Sequence, residues 1–495
     1  MKRLAELLRF LNIDSSKIRD EIVSDVVCDS RKVSPGALFI CVSGHTVDGH
    51  DFVKQAEQNG AIAVIAEKSL SCGLDIPVIM VQDTKSAMQK IVPFFFDYPS
   101  RKMKIIGVTG TNGKTTTTNI VYNILENAGH NVALIGTIDI KYAGKHIKSV
   151  NTTPDVMELQ HVLVDMHLCG IEYVVMEVSS HALALERIDG CYFDVAVLTN
   201  ITQDHLDLHK DFESYVHAKG LLFSDISYSG KKNTFDIINY DDPSSGYIKK
   251  VSTAANHLSY SLNGNTDISV LSYNLHLDSM EVKIKTPVGT IECLVSTTGL
   301  FNIYNIMSAV AVAISVGVDL GVVKKTLENF RSVDGRFELV KSGQPFAVVV
   351  DYAHTPDGLE NVLLTARAVT KGRLITVFGC GGNRDATKRP IMASIAEENS
   401  DIVILTSDNP RKEEPMKILS DVEKGIKNKQ QTIYFVIPDR KTAIQKAIEL
   451  AKAEDMVMIA GKGHETYQIL NDKTIDFDDR IVAFNALKEV GYVKD

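Results

Sequence analysis

Cysteine is sparse and unpaired. The seven cysteines, at 28, 41, 72, 169, 191, 293 and 380, are odd in number and include no CxxC pair. That excludes a disulfide framework and a metal knuckle, and predicts reduced thiols in a cytosol. No run approaches the ~18 apolar residues of a membrane span. The opening MKRLAELLRFLNI mixes charges with leucines at helical spacing and lacks the uninterrupted apolar core of a signal peptide. Basic charge is in deficit. The net charge of −9 argues against a general nucleic-acid binder, so a phosphorylated ligand needs a local basic site. No low-complexity tract or short repeat interrupts the 495 residues, which are 44% hydrophobic and 23% charged. The whole length should fold, as about three domains.

What is present is concentrated in KIIGVTGTNGKTTTTN, from Lys104 to Asn119. Ile105, Ile106 and Val108 predict a strand, and Ile120, Val121, Ile124 and Leu125 a helix. Between them the N–H groups of Gly110, Thr111, Asn112, Gly113 and Lys114 can point into one concavity and hold phosphate oxygens, aided by the helix N-terminus. Lys114 would neutralise the β/γ-phosphates, and the Thr115 hydroxyl would reach Mg²⁺. The loop is TGTNGKT rather than GxxxxGK[ST], because the first glycine of that pattern falls on Val108.

Around this loop the chain divides into α/β segments. Residues 1–98 place short apolar runs (37–42, 61–65, 78–81) between helical stretches. Tyr98-Pro-Ser-Arg-Lys reads as a linker. Residues 99–333 carry the runs 132–135, 173–176 and 195–198, which suit a mostly parallel sheet covered by helices on both faces. Residues 334–495 carry five more (347–350, 374–378, 402–405, 433–436, 456–459) and read as a second doubly wound, Rossmann-like sheet.

Ionisable residues cluster at the predicted strand ends. Glu177 follows YVVM, where a nucleotide-bound Mg²⁺ finds a carboxylate. Asp204, His205, Asp207 and His209 lie within six residues, which fits either a second divalent ion or a polar loop. Lys219 has apolar or small neighbours in YVHAKGLLF. Burial would lower its pKa and let the neutral amine take up CO₂ as a carbamate, but from spacing alone a helix-surface lysine is the simpler reading. DYAHTP, GCGGNR, DNPR and GKGHE end four strands of the third segment and form the expected rim of a binding crevice.

These stretches, with NTTP, EVSSHAL, DHLDLH, GLFNIYN and GRFE, resemble the Mur ligases over nearly the whole chain, from Asp29-Ser-Arg to Phe477-Asp-Asp-Arg. That family makes amide bonds in peptidoglycan precursors at the expense of ATP. The resemblance implies three domains, in chain order UDP-binding, ATPase and amino-acid-binding. Within the family the motifs match the step that adds meso-diaminopimelate to the D-glutamate of UDP-N-acetylmuramoyl-L-alanyl-D-glutamate. A relative adding lysine is the closest rival. Folylpolyglutamate synthase shares the loop variant but lacks a UDP-sugar module. A P-loop ATPase with a conformational output and a non-catalytic binding protein are the readings from other classes.

The family also implies roles. Thr115 and Glu177 serve one Mg²⁺, and His205 and a carbamate on Lys219, an N6-carboxylysine, serve a second. Lys114, Glu177, His205 and Lys219 are thus the catalytic candidates. Gly110 to Thr116, Asn302, Asn305, Arg336 and Asp351 match ATP-binding or domain-closing positions. Ser30, the loop His45, Thr46 and Val47, then Thr152, Thr153, Ser179, Leu185 and Arg187 match the UDP-substrate positions, although Leu185 is polar in some relatives and Ser-Val-Asp precedes GRFE where Val-Pro is commoner. Arg384, Asp408, Asn409, Pro410, Arg411, Gly461 and Glu465 are the diaminopimelate candidates. Arg411 can grip the far carboxylate with two parallel bonds, and Glu465 can accept the far ammonium. The expected state is a cytoplasmic monomer, with no nucleic-acid or membrane partner.

Overall fold

The computed structural model describes residues 1–43, 47–70 and 73–492. Three α/β units follow one another, each built on its own sheet. In the first, strands Val26–Val27, Leu38–Ile40, Ala63–Ala66 and Val78–Met80 pair in chain order and in parallel. Alternate residues enter different cores: Leu38, Ile40 and Ile65 pack on one face, Phe39 and Val64 on the other. Both faces are therefore covered, as a parallel sheet requires. Val156 and Met157, from the helix Val156–Leu168, join the first of these cores. His161 on that helix holds Asp25 at 3.1 Å. The first unit thus rests on the second. The expected linker is a tight turn, Pro99–Lys102, with Arg101 stacked on the rings of Tyr98 and Tyr192.

The second unit holds an eleven-stranded sheet. At its centre lies Lys104–Thr109, parallel to Tyr173–Glu177 on one side and Val195–Leu198 on the other. Ile106 and Val108 face a core shared with the helices Lys114–Asn127 and Leu300–Ser315. Ile105 faces the opposite core, shared with Val156–Leu168 and Phe212–Ser224. The interior is parallel, as the apolar runs predict. Both margins turn antiparallel: Asp139–Tyr142 with Lys145–Lys148 at one, and Ile268–Leu275, Met280–Thr286 and Gly289–Val295 at the other. Lys145–Lys148 is exposed throughout, so its sequence reads as a charged loop.

The third unit has the strand order Glu338–Leu339, Ala347–Asp351, Met456–Ala460, Leu374–Phe378, Ile402–Leu405, Ile433–Val436. Only the first pairing is antiparallel. The last parallel strand in sequence inserts beside the first. The loops after Asp351, Phe378, Leu405 and Ala460 therefore leave the sheet together at its carboxyl edge, where open α/β sheets bind ligands.

Candidate active site

Gly110 and Gly113 shape the phosphate loop. Gly110 has φ +152°, and a Cβ there would stand 1.8 Å from Thr199 Oγ1. Gly113 has φ +85°, and its Cβ would stand 2.3 Å from Asn305 Oδ1. Only glycine combines this backbone with this closeness. The loop is also tied to its neighbours: Asn200 Oδ1 accepts from the Asn112 N–H at 2.9 Å, and Thr199 Oγ1 donates to the Asn112 carbonyl at 2.6 Å. Lys114 folds over the loop and donates to the carbonyls of Gly110 and Thr111, both at 2.8 Å. Burial pushes its pKa below the ordinary 10.5.

Parallel pairing sets Glu177 beside Val108, just before the loop. Its carboxylate is 1% exposed and accepts from Thr115 Oγ1 at 3.0 Å. The Thr137 N–H and hydroxyl donate to it at 2.9 and 3.1 Å. An octahedral Mg²⁺ with ~2.1 Å bonds needs two oxygens ~3 Å apart along each edge, so the hard oxygens of Thr115 and Glu177 fit that ion. Among the described residues no three His, Cys, Asp or Glu side chains form a ready-made metal site. Mg²⁺ held with a nucleotide does not need one, since it takes one or two protein oxygens and completes its shell with phosphate and water.

Lys219 and His205 complete the same cavity. Lys219 is 1% exposed, donates to the Gly110 carbonyl at 2.8 Å and lies 4.6 Å over the Tyr215 ring. Burial, then the charge of Lys114, drives its pKa well below 10.5. The surface-lysine reading therefore fails. His205 has φ +55° and stands 3.3 Å from Asp204 and edge-on to His181. Burial lowers its pKa against the pull of Asp204, leaving a neutral imidazole able to ligate a metal. His209 is buried below it, its ring against Tyr215. The Asp207 side chain lies outside the described residues.

A cavity of about 160 Å³ is lined by Lys114, Thr115, Glu177, His205 and Lys219 and also by Thr152 and Ser179. The third unit contributes Tyr352 and His354, and Arg336 from its opening turn. Arg336 Nη2 donates to Thr115 Oγ1 at 3.2 Å, and its guanidinium stacks 4.5 Å over Tyr352. A larger cavity of about 450 Å³ adjoins, bounded by Gly113, Thr116, Asn305, Arg336 and Asp351. Asn302 does not line it. It is buried behind Asn305, donating to Thr297 and Thr298 and accepting from Asn305 at 3.1 Å. Asp351 is buried, which raises its pKa, and accepts from the Phe337 N–H at 2.7 Å. Across the same cavity Asn112 donates to Asp357 at 2.6 Å, joining the second and third units.

The remaining candidates fall in two groups. Thr153 donates to the Glu177 carbonyl and accepts from the Ser179 N–H, and Ser179 caps the helix Ser180–Ala184. Leu185 and Arg187 close that helix, with the Leu185 carbonyl within reach of Gln89 in the first unit. Ser30 is buried in the first unit and donates to Gln55 at 2.7 Å. Val47 is exposed, while His45 and Thr46 lie outside the described residues. In the third unit Arg411 donates to the carbonyls of Gly382 and Asn409, and Arg384 approaches the same glycine loop at Gly381. A Cβ on Gly461, which has φ +120°, would stand 3.0 Å from Asp408 Oδ2. Pro410 follows Asn409 in this rim. Glu465 Oε2 already accepts from Asn409 and from Lys462, both at 2.9 Å, so a ligand ammonium would have to compete or use Oε1.

Several site residues escaped the sequence analysis. Thr137 stands just past the strand Val132–Ile135, a strand-end position that was itself a signal. Tyr215 precedes Lys219 by one helical turn, close enough to share its face. Lys462 is fully buried, which no spacing announces.

Known proteins share the three-unit order of the chain. Three family models match, in chain order: the Mur ligase family catalytic domain over residues 23–94, the Mur ligase middle domain over 108–313, and the Mur ligase glutamate ligase domain over 335–463. The chain belongs to the Mur ligase family. It is 47% identical over 463 residues to the UDP-N-acetylmuramoyl-L-alanyl-D-glutamate--2,6-diaminopimelate ligase of Geobacillus thermodenitrificans, covering 93% of this chain and 94% of that one. A solved structure of a ligase with the same name is 31% identical, with a TM-score of 0.68, and covers 98% of this chain and 99% of its own. A Thermotoga maritima MurF ligase solved with ADP shares the fold at 20% identity, with a TM-score of 0.65, covering 94% and 96%. The three-domain α/β architecture of this Mur ligase is that of the family. Among the described residues no helix is long and apolar enough to cross a membrane.

Proposed function

We propose that this chain joins meso-2,6-diaminopimelate to the D-glutamate of UDP-N-acetylmuramoyl-L-alanyl-D-glutamate, using ATP, in peptidoglycan precursor synthesis. The observation that carries the reading is the convergence of Lys114, the Thr115–Glu177 pair, His205 and the buried Lys219 on one cavity that third-unit residues also reach. Residues 1–98 hold the UDP-sugar peptide, 99–333 the ATP, and 334–495 the incoming amino acid. The chain acts as a cytoplasmic monomer.

In this reading the terminal phosphoryl of ATP passes to the glutamyl carboxylate, giving an acyl phosphate and ADP. The amine of diaminopimelate then attacks the acyl carbon, phosphate leaves, and the nitrogen loses a proton. Loop N–H groups and Lys114 stabilise charge on the transferred phosphoryl, and Arg336 approaches from the third-unit side. Thr115 and Glu177 would hold one Mg²⁺, and His205 with a carbamate on Lys219 would hold another. Bound there, Mg²⁺ supplies charge neutralisation and alignment of the phosphoryl group. Burial and the nearby Lys114 charge keep the Lys219 amine available to CO₂.

The test is direct. The protein is incubated with ATP, Mg²⁺, the UDP-dipeptide and either diaminopimelate or lysine, and the product is weighed. A diaminopimelate adduct with stoichiometric ADP is expected. An equal yield with lysine would remove the specificity, and ATP turnover with no amide would remove the ligase reading.

A further inference from the structure

The last helix, Asp479–Glu489, opens with three charged residues that face different ways. Asp478 caps it. Asp479 is fully buried and binds Arg440 through two parallel bonds of 2.7 and 2.6 Å. The same guanidinium donates to the carbonyls of Ala460 at 3.0 Å and Ser407 at 3.4 Å. Those carbonyls immediately precede Gly461 and Asp408, so a buried, bidentate and hence geometrically fixed pair sets the strand ends of the amino-acid site.

Arg480 faces the joint between the second and third units. Its Nη1 stands 3.5 Å from Glu338 and 3.9 Å from Asp334, while Asp478 orients the guanidinium at 2.7 Å. The Glu338 carboxylate also accepts from the Gly335 N–H at 2.6 Å and so closes the turn 334–338. Gly335 lies flat on the amino-acid loop: its φ is +67°, and a Cβ would fall 2.1 Å from the His464 nitrogen. Gly463 answers from the other side, where a Cβ would fall 2.7 Å from the Gly335 carbonyl. Arg336 leaves this turn for Thr115 in the phosphate site.

We propose that Arg480 is a positioning residue that, through Glu338, seats the 334–338 turn on the amino-acid loop and thereby delivers Arg336 to the phosphate site. This rests on the ligase reading, in which Gly461 and Glu465 meet the amino acid and Arg336 meets the nucleotide. One consequence is that seating of the amino-acid loop and phosphoryl transfer are mechanically linked. Another is that the UDP-dipeptide, gripped elsewhere, does not feel the link.

Full-length Arg480→Gln, Arg480→Lys, Glu338→Gln and the Arg480→Gln/Glu338→Gln double variant test it, with kcat, the KM of each substrate and the melting temperature measured for all. Each Gln variant should lower kcat by about tenfold and raise the KM for ATP, with the KM for the UDP-dipeptide unchanged. Arg480→Lys should recover most of the loss. The double variant should be no worse than the worse single, because both remove one contact. Amide exchange at Gly335 should quicken in both singles, a readout that needs no turnover. Losses that multiply in the double variant, a Lys variant as poor as Gln, or a kcat within about twofold of wild type in the Gln variants would overturn the proposal. So would a fall in melting temperature with kcat intact. Failure of the wild type to form the amide would instead count against the ligase reading, and the exchange measurement would still decide the contact.

Discussion

Lys114 and Lys219 donate to one carbonyl oxygen, that of Gly110, each at 2.8 Å. Burial lowers both pKa values, and the charge of Lys114 lowers that of Lys219 further. Adding CO₂ to the neutral Lys219 amine would place an anion beside Lys114 and make that contact attractive.

Lys219→Ala should therefore cost nearly all turnover while leaving the fold intact. Millimolar acetate or another short carboxylate, small enough for the vacated space, should restore part of it. A carbamate signal from ¹³CO₂ in the wild type, absent from the variant, is the spectroscopic counterpart. An amine that stays unmodified under CO₂, combined with no rescue, would defeat this expectation.

Glu177→Gln keeps the shape of the Thr115–Thr137 cradle and removes its negative charge. The half-saturating Mg²⁺ concentration should rise about tenfold or more, and kcat should fall by about 10²-fold. Chelation should abolish turnover in both proteins. A Mg²⁺ titration of initial rates decides it, and superimposable curves would show that the carboxylate does not serve the ion.

Arg411→Ala should raise the KM for diaminopimelate by ~10²-fold, with little change for ATP, because a desolvated bidentate partner is lost. Arg411 already donates to the Gly382 and Asn409 carbonyls, so it is held in place before any ligand arrives. Competition between diaminopimelate and lysine, scored by product mass, reads the same residue independently.

The His161–Asp25 pair joins the first unit to the second and should make their docking depend on pH. Burial pulls the His161 pKa down, but Asp25 and the Met157 carbonyl outweigh it, and the net shift is upward from 6.5. A raised histidine pKa gives stability that is full below the unfolded value of 6.5 and lost as pH climbs through the folded value. The pair is partly exposed, so the effect should be about 0.5 kcal/mol. Amide exchange of residues 26–40 against pH, in wild type and His161→Gln, checks it. A slope that survives in the variant would assign it to other groups.

The parallel interior was legible because buried strands such as Ile402–Leu405, and Tyr173–Glu177 up to its closing glutamate, are unbroken apolar runs. At one antiparallel margin Lys145–Lys148 buries nothing and carries no pattern. At the other, Met280–Thr286 and Gly289–Val295 alternate buried and exposed residues, a signal that the apolar runs alone do not pick up. At the site, strand ends announced Glu177 and the phosphate loop. Local sequence could not tell that Lys219 points inward, because the carbonyl that receives it, that of Gly110, lies more than a hundred residues away in the chain. Nor could it separate Asn305, which lines the large cavity, from Asn302 one turn earlier, which braces it.

Lys104–Thr109 lies deep within its sheet, locked by ladders to Tyr173–Glu177 and Val195–Leu198. The loops bearing Lys114, Glu177 and His205 thus rise from an anvil that cannot give without breaking several hydrogen bonds at once. Adjustment between one substrate and the next is expected on the hammer side, in the third unit and its glycine-pivoted turn at Gly335. Substitutions that soften the joint should blunt the timing of the reaction, whereas those in the sheet should simply cost the enzyme its fold.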